Sequence, residues 1–344
     1  MKMNYIELPK KQNRRKNPLD DYIFSSRVRI SRNIDGLKFS FFLDEKSAIE
    51  IEDKIVEEFK RNNNDIEFVR IGELSKAEVL VYLSNKVLTT DFLRNGRIFG
   101  YKKNGELVIL LNEEDHIKIF SIENGYNVSS IYHRLIKFLE DIENNIDFAY
   151  DEEFGYLTSS IFNVGTALKI SVLINLSGIM FAGKIEEVKV LLKEISYSIQ
   201  PFISSNIPLF FISNSYSLGL SEEEMIEEFE ETLIKIIKLE KECRERFIFF
   251  NQDKLKKVFD KILGLKKLDK INYTDFVEYI ALVDLLNKQA YYVDDINYMK
   301  NLVFIGTDDY LKYKTGIKDS DFDSFRVYLL KKLINLVKFK KAFI

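Results

Sequence analysis

The sequence is poor in cysteine, histidine and proline, and it contains no tryptophan. Its one cysteine, Cys243, has no partner for an intramolecular disulfide, and one cysteine with two histidines argues against a Cys/His zinc site. No apolar run reaches the roughly 18 residues of a membrane span, and residues 1–20 are polar and basic without an apolar core. We therefore expect neither a membrane span nor a secretory signal, and we predict a cytoplasmic location.

The chain also lacks a large excess of either positive or negative charge. The chain carries 51 basic and 54 acidic residues, for a formal net charge of −3 at pH 7, and both signs are interleaved. Nucleic-acid binding usually needs a basic patch, so nucleic acid is not expected as a partner. The 46% of hydrophobic and 31% of charged residues are typical of a globular protein with a sizeable core.

Hydrophobic periodicity predicts both helices and strands. Apolar residues at helical spacing indicate helices over 46–62 and 129–143, and Ser221 with Glu224 has the spacing of a capping box that opens a long helix. Short runs rich in β-branched residues indicate strands over 66–71, 79–83, 107–111, 154–160 and 209–212. Asn104-Gly105 predicts a two-residue hairpin turn before the third of these. Because the last third is mostly helical, the pattern favours an α+β core with a C-terminal helical lobe.

Two arginines stand two residues apart in a segment that we interpret as extended. Arg27 and Arg29 would project to the same face of a strand. Two guanidinium groups on one face can hold a triphosphate through charge-assisted hydrogen bonds. Basic pairs are also common on solvated surfaces, so the pair alone leaves both interpretations open.

An acidic run, Glu113-Glu114-Asp115, directly follows the strand predicted over 107–111. A carboxylate at a strand end can hold a guanidinium and accept a proton from it. A guanidinium, with its pKa above about 12, must lose a proton before it can act as a nucleophile. A solvated acidic turn is the alternative that the pattern leaves open.

A third segment, Asn163-Val164-Gly165-Thr166, follows a predicted strand and precedes an apolar run that we interpret as a helix. Gly165 would let the backbone approach a ligand, and the start of the helix could receive a phosphate. Neither a P-loop nor a GxGxxG dinucleotide fingerprint occurs in the chain.

In this order the three segments resemble the phosphagen kinase family, and in particular its bacterial protein arginine kinase branch. The resemblance covers about residues 18–250, and four motifs carry it: 21–33 with Ser-Ser-Arg-Val-Arg, 111–118 with Asn-Glu-Glu-Asp-His, 155–166 and 212–224. It implies an antiparallel sheet flanked by helices, with ATP lying across the sheet. We therefore divide the chain into a flexible lead-in (1–20), a catalytic domain (21–250) and a helical C-terminal domain (251–344). Creatine and arginine kinases carry an extra N-terminal helical domain. Only about 20 residues precede the match in this chain, which favours the protein arginine kinase branch.

The resemblance also implies roles for individual residues. Arg27 and Arg29 would bind the phosphates of ATP around Mg²⁺, and Glu114, with Glu113 beside it, would hold and help to deprotonate the substrate guanidinium. Further positions of the nucleotide site would be Lys118, Asn163, Gly165, Thr166 and Lys169. No protein metal site is implied, because Mg²⁺ is bound through the nucleotide.

Several site positions depart from the family pattern. Lys118 and Lys169 stand where the family usually has arginine, which keeps the charge but loses the planar fork. Ser160 replaces a reactive cysteine. In the segment 195–214, which aligns with a family loop, Ser196 and Ser204 replace an arginine and a glutamate. Loss of an arginine that stabilises a transferring phosphoryl group can cost about 10³-fold or more in rate.

Two functions therefore remain open from the sequence. The first is ATP-dependent phosphoryl transfer to arginine guanidinium groups of proteins, with reduced activity. The second is a catalytically inactive pseudokinase that acts as a scaffold or adaptor in protein quality control. As partners, the resemblance implies protein substrates or client proteins, a zinc-binding activator protein, a Clp-type protease system and a second copy of the chain in a homodimer.

Overall fold

The computed structural model describes residues 17–63, 65–95, 97–102 and 105–340. Within these ranges the strands are Ile23–Arg32 (β1), Ile66–Arg70 (β2), Ile98–Lys102 (β3), Val108–Leu111 (β4), Ile117–Asn124 (β5), Tyr150–Asp151 (β6), Gly155–Tyr156 (β7), Leu168–Asn175 (β8), Tyr197–Pro201 (β9), Leu209–Asn214 (β10), Tyr291–Val293 (β11) and Val337–Phe339 (β12). The helices are Glu45–Asn62 (α1), Lys76–Ser84 (α2), Thr90–Asn95 (α3), Val128–Glu143 (α4), Ser177–Phe181 (α5), Ile185–Glu194 (α6), Glu222–Phe250 (α7), Gln252–Gly264 (α8), Tyr273–Leu286 (α9), Ile296–Ile305 (α10), Asp308–Thr315 (α11) and Phe322–Ile334 (α12). None of the helices in these ranges is long and apolar enough to cross a membrane.

Eight strands form one sheet in the order β2-β3-β4-β5-β1-β8-β10-β9. Every neighbouring pair in this sheet is antiparallel. The fold is therefore α+β, an antiparallel sheet flanked by helices with a C-terminal helical lobe, as predicted. The strand β1 lies near the middle of the sheet, between β5 and β8, so its side chains meet those of both neighbours.

Helices α1, α4 and α7 cover one face of the sheet. Alternate residues of β1 and β8, such as Val28, Ile30 and Val172, are buried in one core with the apolar stripes of these helices. In α4 that stripe includes Ile131 and Leu135, at the i, i+4 spacing from which the helix is predicted. This apolar face leaves the other alternate residues of each strand to the opposite face.

The opposite face of the sheet is covered by apolar cores at its two ends, and its middle part carries polar side chains. At the β3–β5 end, Phe99 and Phe120 pack with residues of α2 and α3 in a separate core. At the other end, Phe24, Leu173 and Leu209 belong to the core of the C-terminal lobe. Between these two covers, β1, β5 and β8 carry polar and cationic side chains on this face.

A buried ionic network attaches the lobe to the sheet domain. Arg244 of α7 donates from Nε to Glu240 at 2.6 Å and from Nη2 to Asp284 of α9 at 3.2 Å. Asn175, at the end of β8, also donates to Asp284 at 2.8 Å. Glu240 accepts from the backbone N–H groups of Gly178 and Ile179, both at 2.8 Å. The network therefore joins α7, α9 and the segment after β8.

We expect Arg244→Met to lower the free energy of unfolding by about 3–5 kcal/mol, because it leaves two buried carboxylates without their cation. Denaturant unfolding followed by circular dichroism measures the change. Arg246→Met, two residues away on the exposed side of the same helix, is the matched control and should shift stability by less than about 0.5 kcal/mol. Equal midpoints for the two variants would contradict the importance of the network.

Two of the predicted strands are wrong in whole or in part. The segment 79–83, predicted as a strand, lies in helix α2, which begins with a capping box between Ser75 and Glu78. In the segment 154–160, only Gly155–Tyr156 is a strand, because the Asp151 side chain accepts from the N–H groups of Glu153 and Phe154 and forms a tight turn there. The helices predicted at 46–62 and 129–143 and the capping box at Ser221 are confirmed.

Two further predictions concern partly described segments. Strands β3 and β4 pair as a hairpin, as predicted. The two-residue turn is wrong, because the Lys102 N–H donates to the Leu107 carbonyl at 3.1 Å and four residues lie between these two positions. Residue Asn104 of its turn lies outside the described residues. Most of the predicted lead-in, residues 1–16, lies outside them as well, whereas Pro18–Asp21 forms a 3-10 turn with Leu19 buried. The division at residues 20 and 250 stays a prediction.

Candidate active site

The two arginines predicted from their spacing lie side by side on the polar face of the sheet. Strand β1 pairs Arg29 with Lys169 of β8 and pairs Ser31 with Lys118 of β5. Directly paired residues on antiparallel strands have Cβ atoms about 5 Å apart, and diagonal ones about 7–8 Å. The register therefore gathers four cationic groups, which we call the cation row: Arg27, Arg29, Lys118 and Lys169.

Each arginine of the cation row is held by a different neighbour. The Arg27 guanidinium stacks on the Phe120 ring, 4.1 Å from the centroid, and donates to the backbone oxygen of Lys86 at 3.0 Å. Arg29 donates from Nη2 to Asn163 Oδ1 at 3.4 Å. The buried Nε of Arg29 has no hydrogen-bond partner among the described residues. A donor of this kind fits an additional anionic acceptor, such as a phosphate oxygen.

The acidic run lies in the tight connection between β4 and β5, which we call the acidic loop (Asn112–His116). Asn112 has a positive φ of 51°, and its N–H donates to the carbonyl of His116 at 3.0 Å. Asp115 is fully buried and accepts from Asn33 Nδ2 and from the Ser159 N–H, both at 2.8 Å. The loop is therefore fixed by partners that lie far away in the sequence.

The two glutamates of the acidic loop differ in their surroundings. Glu113 is buried, forms an ion pair with Lys118 and accepts from the Thr89 hydroxyl. Glu114 has a side chain that is 41% exposed, with one carboxylate oxygen 4.0 Å from Lys118 Nζ. Glu114 is thus the carboxylate that remains available to a ligand, and Glu113 orients Lys118.

Burial and like charges perturb the ionisation of this cluster. Burial lowers the pKa of Arg29, while Glu114 and Asp115 oppose that change. Burial and the two arginines lower the pKa of Lys118 well below its usual range. Burial and Asp115 raise the pKa of Glu114, against the effect of Arg29. Perturbed groups gathered in a cleft are typical of catalytic sites.

A cavity of about 520 Å³ opens at the junction of the cation row and the acidic loop. Its walls combine charged groups with aromatic rings, and they include Arg29, Lys118, Glu113, Glu114, Asp91, Thr89, Ser159, Phe39, Phe41 and Phe42. Cations suited to phosphate thus stand next to a carboxylate suited to a guanidinium.

The pKa of Lys169 gives the site a testable pH dependence. Burial first and then Arg29 lower this pKa to about 8. Lys169 therefore carries its charge at pH 7 and loses it as the pH rises through 8. We expect the affinity for Mg-ATP, measured by calorimetric titration, to fall between pH 7 and pH 9. In Lys169→Arg, whose group stays charged in this range, the fall should disappear. A wild-type affinity that stays constant to pH 9 would contradict a role for Lys169 in phosphate binding.

The third predicted segment contributes one residue to the cluster. Asn163 contacts Arg29, as described above. Gly165 has a φ of 110°, and a Cβ there would lie 2.1 Å from the carbonyl oxygen of Ser217, so the fold itself requires glycine. Thr166 is buried and donates to Met225 Sδ at 3.1 Å. The helix expected after this segment is wrong, because strand β8 begins at Leu168. No helix start can therefore receive a phosphate there, and the ligand roles of Gly165 and Thr166 stay predictions.

The three substituted serines lie in different places. Ser160 precedes the 3-10 turn Ile161–Asn163, next to Ser159 of the cavity wall. Ser196, with a φ of 65°, is in the turn before β9, and its carbonyl accepts from the Ser215 N–H at 2.9 Å. Ser204 is at the other end of β9, in the turn before β10. The segment 195–214, aligned with a family loop, is thus a hairpin in this chain, and it does not bring Ser196 and Ser204 together.

Sequence reasoning missed several residues of the site. Thr89, Asn33 and Ser159 hold the acidic loop, and Phe41 and Phe42 line the cavity. The cluster Phe-Ser-Phe-Phe at 39–42, between Gly36 and the helix cap Asp44, is the one signal that could have drawn attention to the aromatic wall.

Comparison with known proteins shows the family to which the chain belongs. The family model for the C-terminal catalytic domain of ATP:guanido phosphotransferases matches residues 49–243, which is more than half of the chain. This range contains the acidic loop, Lys118 and Lys169. The chain therefore belongs to the ATP:guanido phosphotransferase family.

Within this family the chain is a diverged relative of bacterial protein-arginine kinases. It is 30% identical over 242 residues to the protein-arginine kinase of Bacillus cereus strain AH187, covering 67% of this chain and 68% of the relative. It is 28% identical over 252 residues to that of Clostridium tetani, covering 71% and 74%.

Solved structures show the same fold. Lombricine kinase matches with a TM-score of 0.58 and 20% identity, over 70% of each chain. The duplicated taurocyamine kinase of Schistosoma mansoni matches with a TM-score of 0.61 and 20% identity, over 68% of this chain. That match spans 35% of the length of the taurocyamine kinase. The fold of this chain is thus the phosphagen kinase fold.

Proposed function

We propose that this protein transfers the γ-phosphoryl group of ATP to arginine side chains of proteins, at a reduced rate. One observation carries the proposal: the half-exposed carboxylate of Glu114 lies beside the cation row, in one cavity with Arg29 and Lys118. The cations suit the triphosphate and the carboxylate suits the acceptor. Phosphoryl transfer depends chiefly on such positioning and charge neutralisation.

The residues divide the work by their chemistry. Arg27 and Arg29 bind the phosphates through the planar donor groups of their guanidinium side chains. Lys118 and Lys169 add compact positive charges on flexible side chains, which stabilise the negative charge of the transferring phosphoryl group. Mg²⁺, held through the nucleotide, neutralises further charge on the phosphates. Glu114 orients the acceptor guanidinium and takes up its proton. Its raised pKa makes it a stronger base than an ordinary glutamate carboxylate.

The reduced rate follows from the substituted positions. The lysines at 118 and 169 cannot form the paired, planar hydrogen bonds to phosphate that a guanidinium group forms. Part of the charge of Lys118 is already compensated by Glu113. Ser160 cannot supply a thiolate, and the serines at 196 and 204 bring neither a cation nor a carboxylate.

A second candidate is a nucleotide-binding protein without turnover that serves as a scaffold or adaptor in protein quality control. The ion pair between Glu113 and Lys118 favours it, because this pair satisfies a phosphate-binding position from within the chain. In that case the cation row would still bind Mg-ATP, and the acceptor would bind without being phosphorylated.

A steady-state assay of ADP release tests the proposal. The protein is incubated with Mg-ATP and an arginine-rich protein, and the control is the same protein with its arginines changed to lysine. We expect ADP release with the arginine-rich protein and none with the control in which arginine is changed to lysine. Failure to bind Mg-ATP at millimolar concentration would contradict both candidates. Binding of Mg-ATP without arginine-dependent ADP release would favour the scaffold.

The partners follow from the proposed activity. Protein substrates or client proteins are the expected ligands, in line with the naming of the relatives as protein-arginine kinases. The zinc-binding activator protein, the Clp-type protease system and the homodimer stay predictions from the family resemblance. The cytoplasmic location stays a prediction from the sequence composition.

A further inference from the structure

Four large apolar side chains are exposed on two segments that contribute to the cavity wall. Phe41 and Phe42 line the cavity themselves, whereas Ile161 and Phe162 follow Ser159, which lines it. Phe41 and Phe42 are 75% and 68% exposed, and Ile161 and Phe162 are 79% and 65% exposed. Scattered apolar side chains are ordinary on protein surfaces, whereas a group of them at the edge of a polar cavity is typical of a binding surface. We call these four residues the apolar rim.

The aromatic part of the apolar rim is held in place by the acidic loop. His116 Nε2 lies 2.9 Å from the backbone oxygen of Lys38, and the Ser40 hydroxyl contacts Asn112 Oδ1 at 3.3 Å. The rings of Phe41 and Phe42 meet edge to face, with centroids 5.5 Å apart. The loop that carries Glu113 and Glu114 therefore also holds the segment from which these two rings project.

The second part of the rim, Ile161 and Phe162, lies on another segment that is tied to the same loop. Ser159 donates from its hydroxyl to the backbone oxygen of Glu114 at 2.7 Å. The 3-10 turn Ile161–Asn163 follows, and its last residue, Asn163, contacts Arg29. Ile161 and Phe162 thus lie between two residues that are tied to the site, and both side chains remain exposed.

The chemistry of this cavity selects its occupant. Glu114, with Asp91 on the same wall, suits a cation, and the phenylalanine rings suit the aliphatic stem that carries it. A free guanidino metabolite would cover the carboxylate and leave most of the rim in water. A polypeptide with apolar residues next to an arginine would cover both, which gains hydrophobic free energy in proportion to the area buried.

We propose that the apolar rim binds the apolar side chains next to the target arginine in an extended segment of a protein substrate. The chain would then prefer arginines in apolar sequence, which folded proteins bury and unfolded segments expose. This inference rests on the proposed function for the identity of the acceptor as an arginine.

Peptide binding without nucleotide tests the inference. Two fluorescent peptides carry one arginine each, flanked by leucines in one and by serines in the other, and fluorescence anisotropy measures both affinities. We expect the leucine peptide to bind about tenfold more tightly. The double variants Phe41→Ser/Phe42→Ser and Ile161→Ser/Phe162→Ser should each lose most of this preference.

The end of α7 offers a matched control. Phe249 and Phe250 are 71% and 82% exposed and form a similar apolar pair outside the cavity wall. Phe249→Ser/Phe250→Ser should keep the preference for the leucine peptide. Equal affinities of the two peptides for the wild-type protein would overturn the inference, and so would an equal loss of preference in this control.

Three further outcomes separate the inference from its alternatives. If Phe41→Ser/Phe42→Ser turns a dimer into a monomer in sedimentation and leaves peptide binding intact, the rim is a contact between copies and the inference is wrong. If the leucine peptide binds preferentially but no arginine is phosphorylated, the inference holds and the proposed activity fails. If both peptides are phosphorylated with equal kcat/KM, the activity holds and the inference fails.

Discussion

Glu114→Gln should reduce phosphoryl transfer to arginine by about 10²- to 10⁴-fold, the range for loss of a positioned general base. The amide keeps the size of the side chain, but it cannot take the proton from a guanidinium or offset its charge. Glu114 reaches the cavity, whereas the buried Glu113 is engaged by Lys118 and Thr89, and the buried Asp115 is engaged by Asn33 and Ser159. No second carboxylate of the acidic loop can therefore substitute for Glu114 without rearrangement. Rates of ADP release at saturating Mg-ATP measure the effect.

The control for Glu114 comes from the same cavity. Asp91 also lines it, but its carboxylate lies at the surface, 3.6 Å from Arg94 Nη1. Asp91→Asn removes the same charge, and we expect a change in rate below about tenfold, since an exposed ion pair contributes little. An equal loss in the two variants would mean that the cavity needs negative charge in general, with no specific base at Glu114.

Arg29→Gln should lower kcat/KM by about 10³-fold or more, comparable to the loss of an arginine that stabilises a transferring phosphoryl group. Arg29 lies between Lys169 on one strand and Phe120 on the other, and its unpartnered Nε is available to phosphate. Arg29→Lys should recover part of the rate, because it restores the charge without the planar fork. Rates and Mg-ATP affinities of both variants, measured together, separate transition-state from ground-state effects.

The same substitution carries an independent electrostatic signature. Arg29 lowers the pKa of Lys169, so removing its charge should raise that pKa and move the alkaline fall in Mg-ATP affinity to higher pH. Arg70, an exposed cation at the end of β2, provides the control, and Arg70→Gln should leave both the rate and the pH profile unchanged. A normal rate in Arg29→Gln would contradict the assignment of the cation row.

Local patterns were sufficient to predict much of the scaffold. The capping box at Ser221 and the helical spacing in 129–143 depend on contacts between neighbouring residues, so the sequence alone reveals them. The alternation of Arg27, Val28 and Arg29 places both arginines on one face of β1 for the same reason. Where apolar runs are short, periodicity is ambiguous. The run 79–83 forms a helix because the capping box at Ser75 and the packing of α2 against α11 favour that state.

The site itself depends on contacts that spacing does not encode. Asp115 meets Asn33, 82 residues away, and Glu113 meets Thr89, 24 residues away. Lys169 reaches Arg29 because β8 pairs with β1, a register that no local pattern in 163–169 reveals. The family resemblance was therefore needed to group these residues. Even so, it aligned 195–214 with a loop where this chain forms a paired hairpin.

Direct detection of the product is the decisive measurement. An arginine peptide is incubated with the wild-type protein and Mg-ATP, and phosphorus NMR is recorded before and after brief acid treatment. We predict a phosphoramidate signal on the peptide that grows with time, disappears in acid and is absent with Glu114→Gln. If the wild-type protein binds Mg-ATP but yields no such signal, the cation row and Glu114 do not form a working phosphoryl-transfer site. A signal of equal size with Glu114→Gln would likewise contradict the role assigned to that carboxylate.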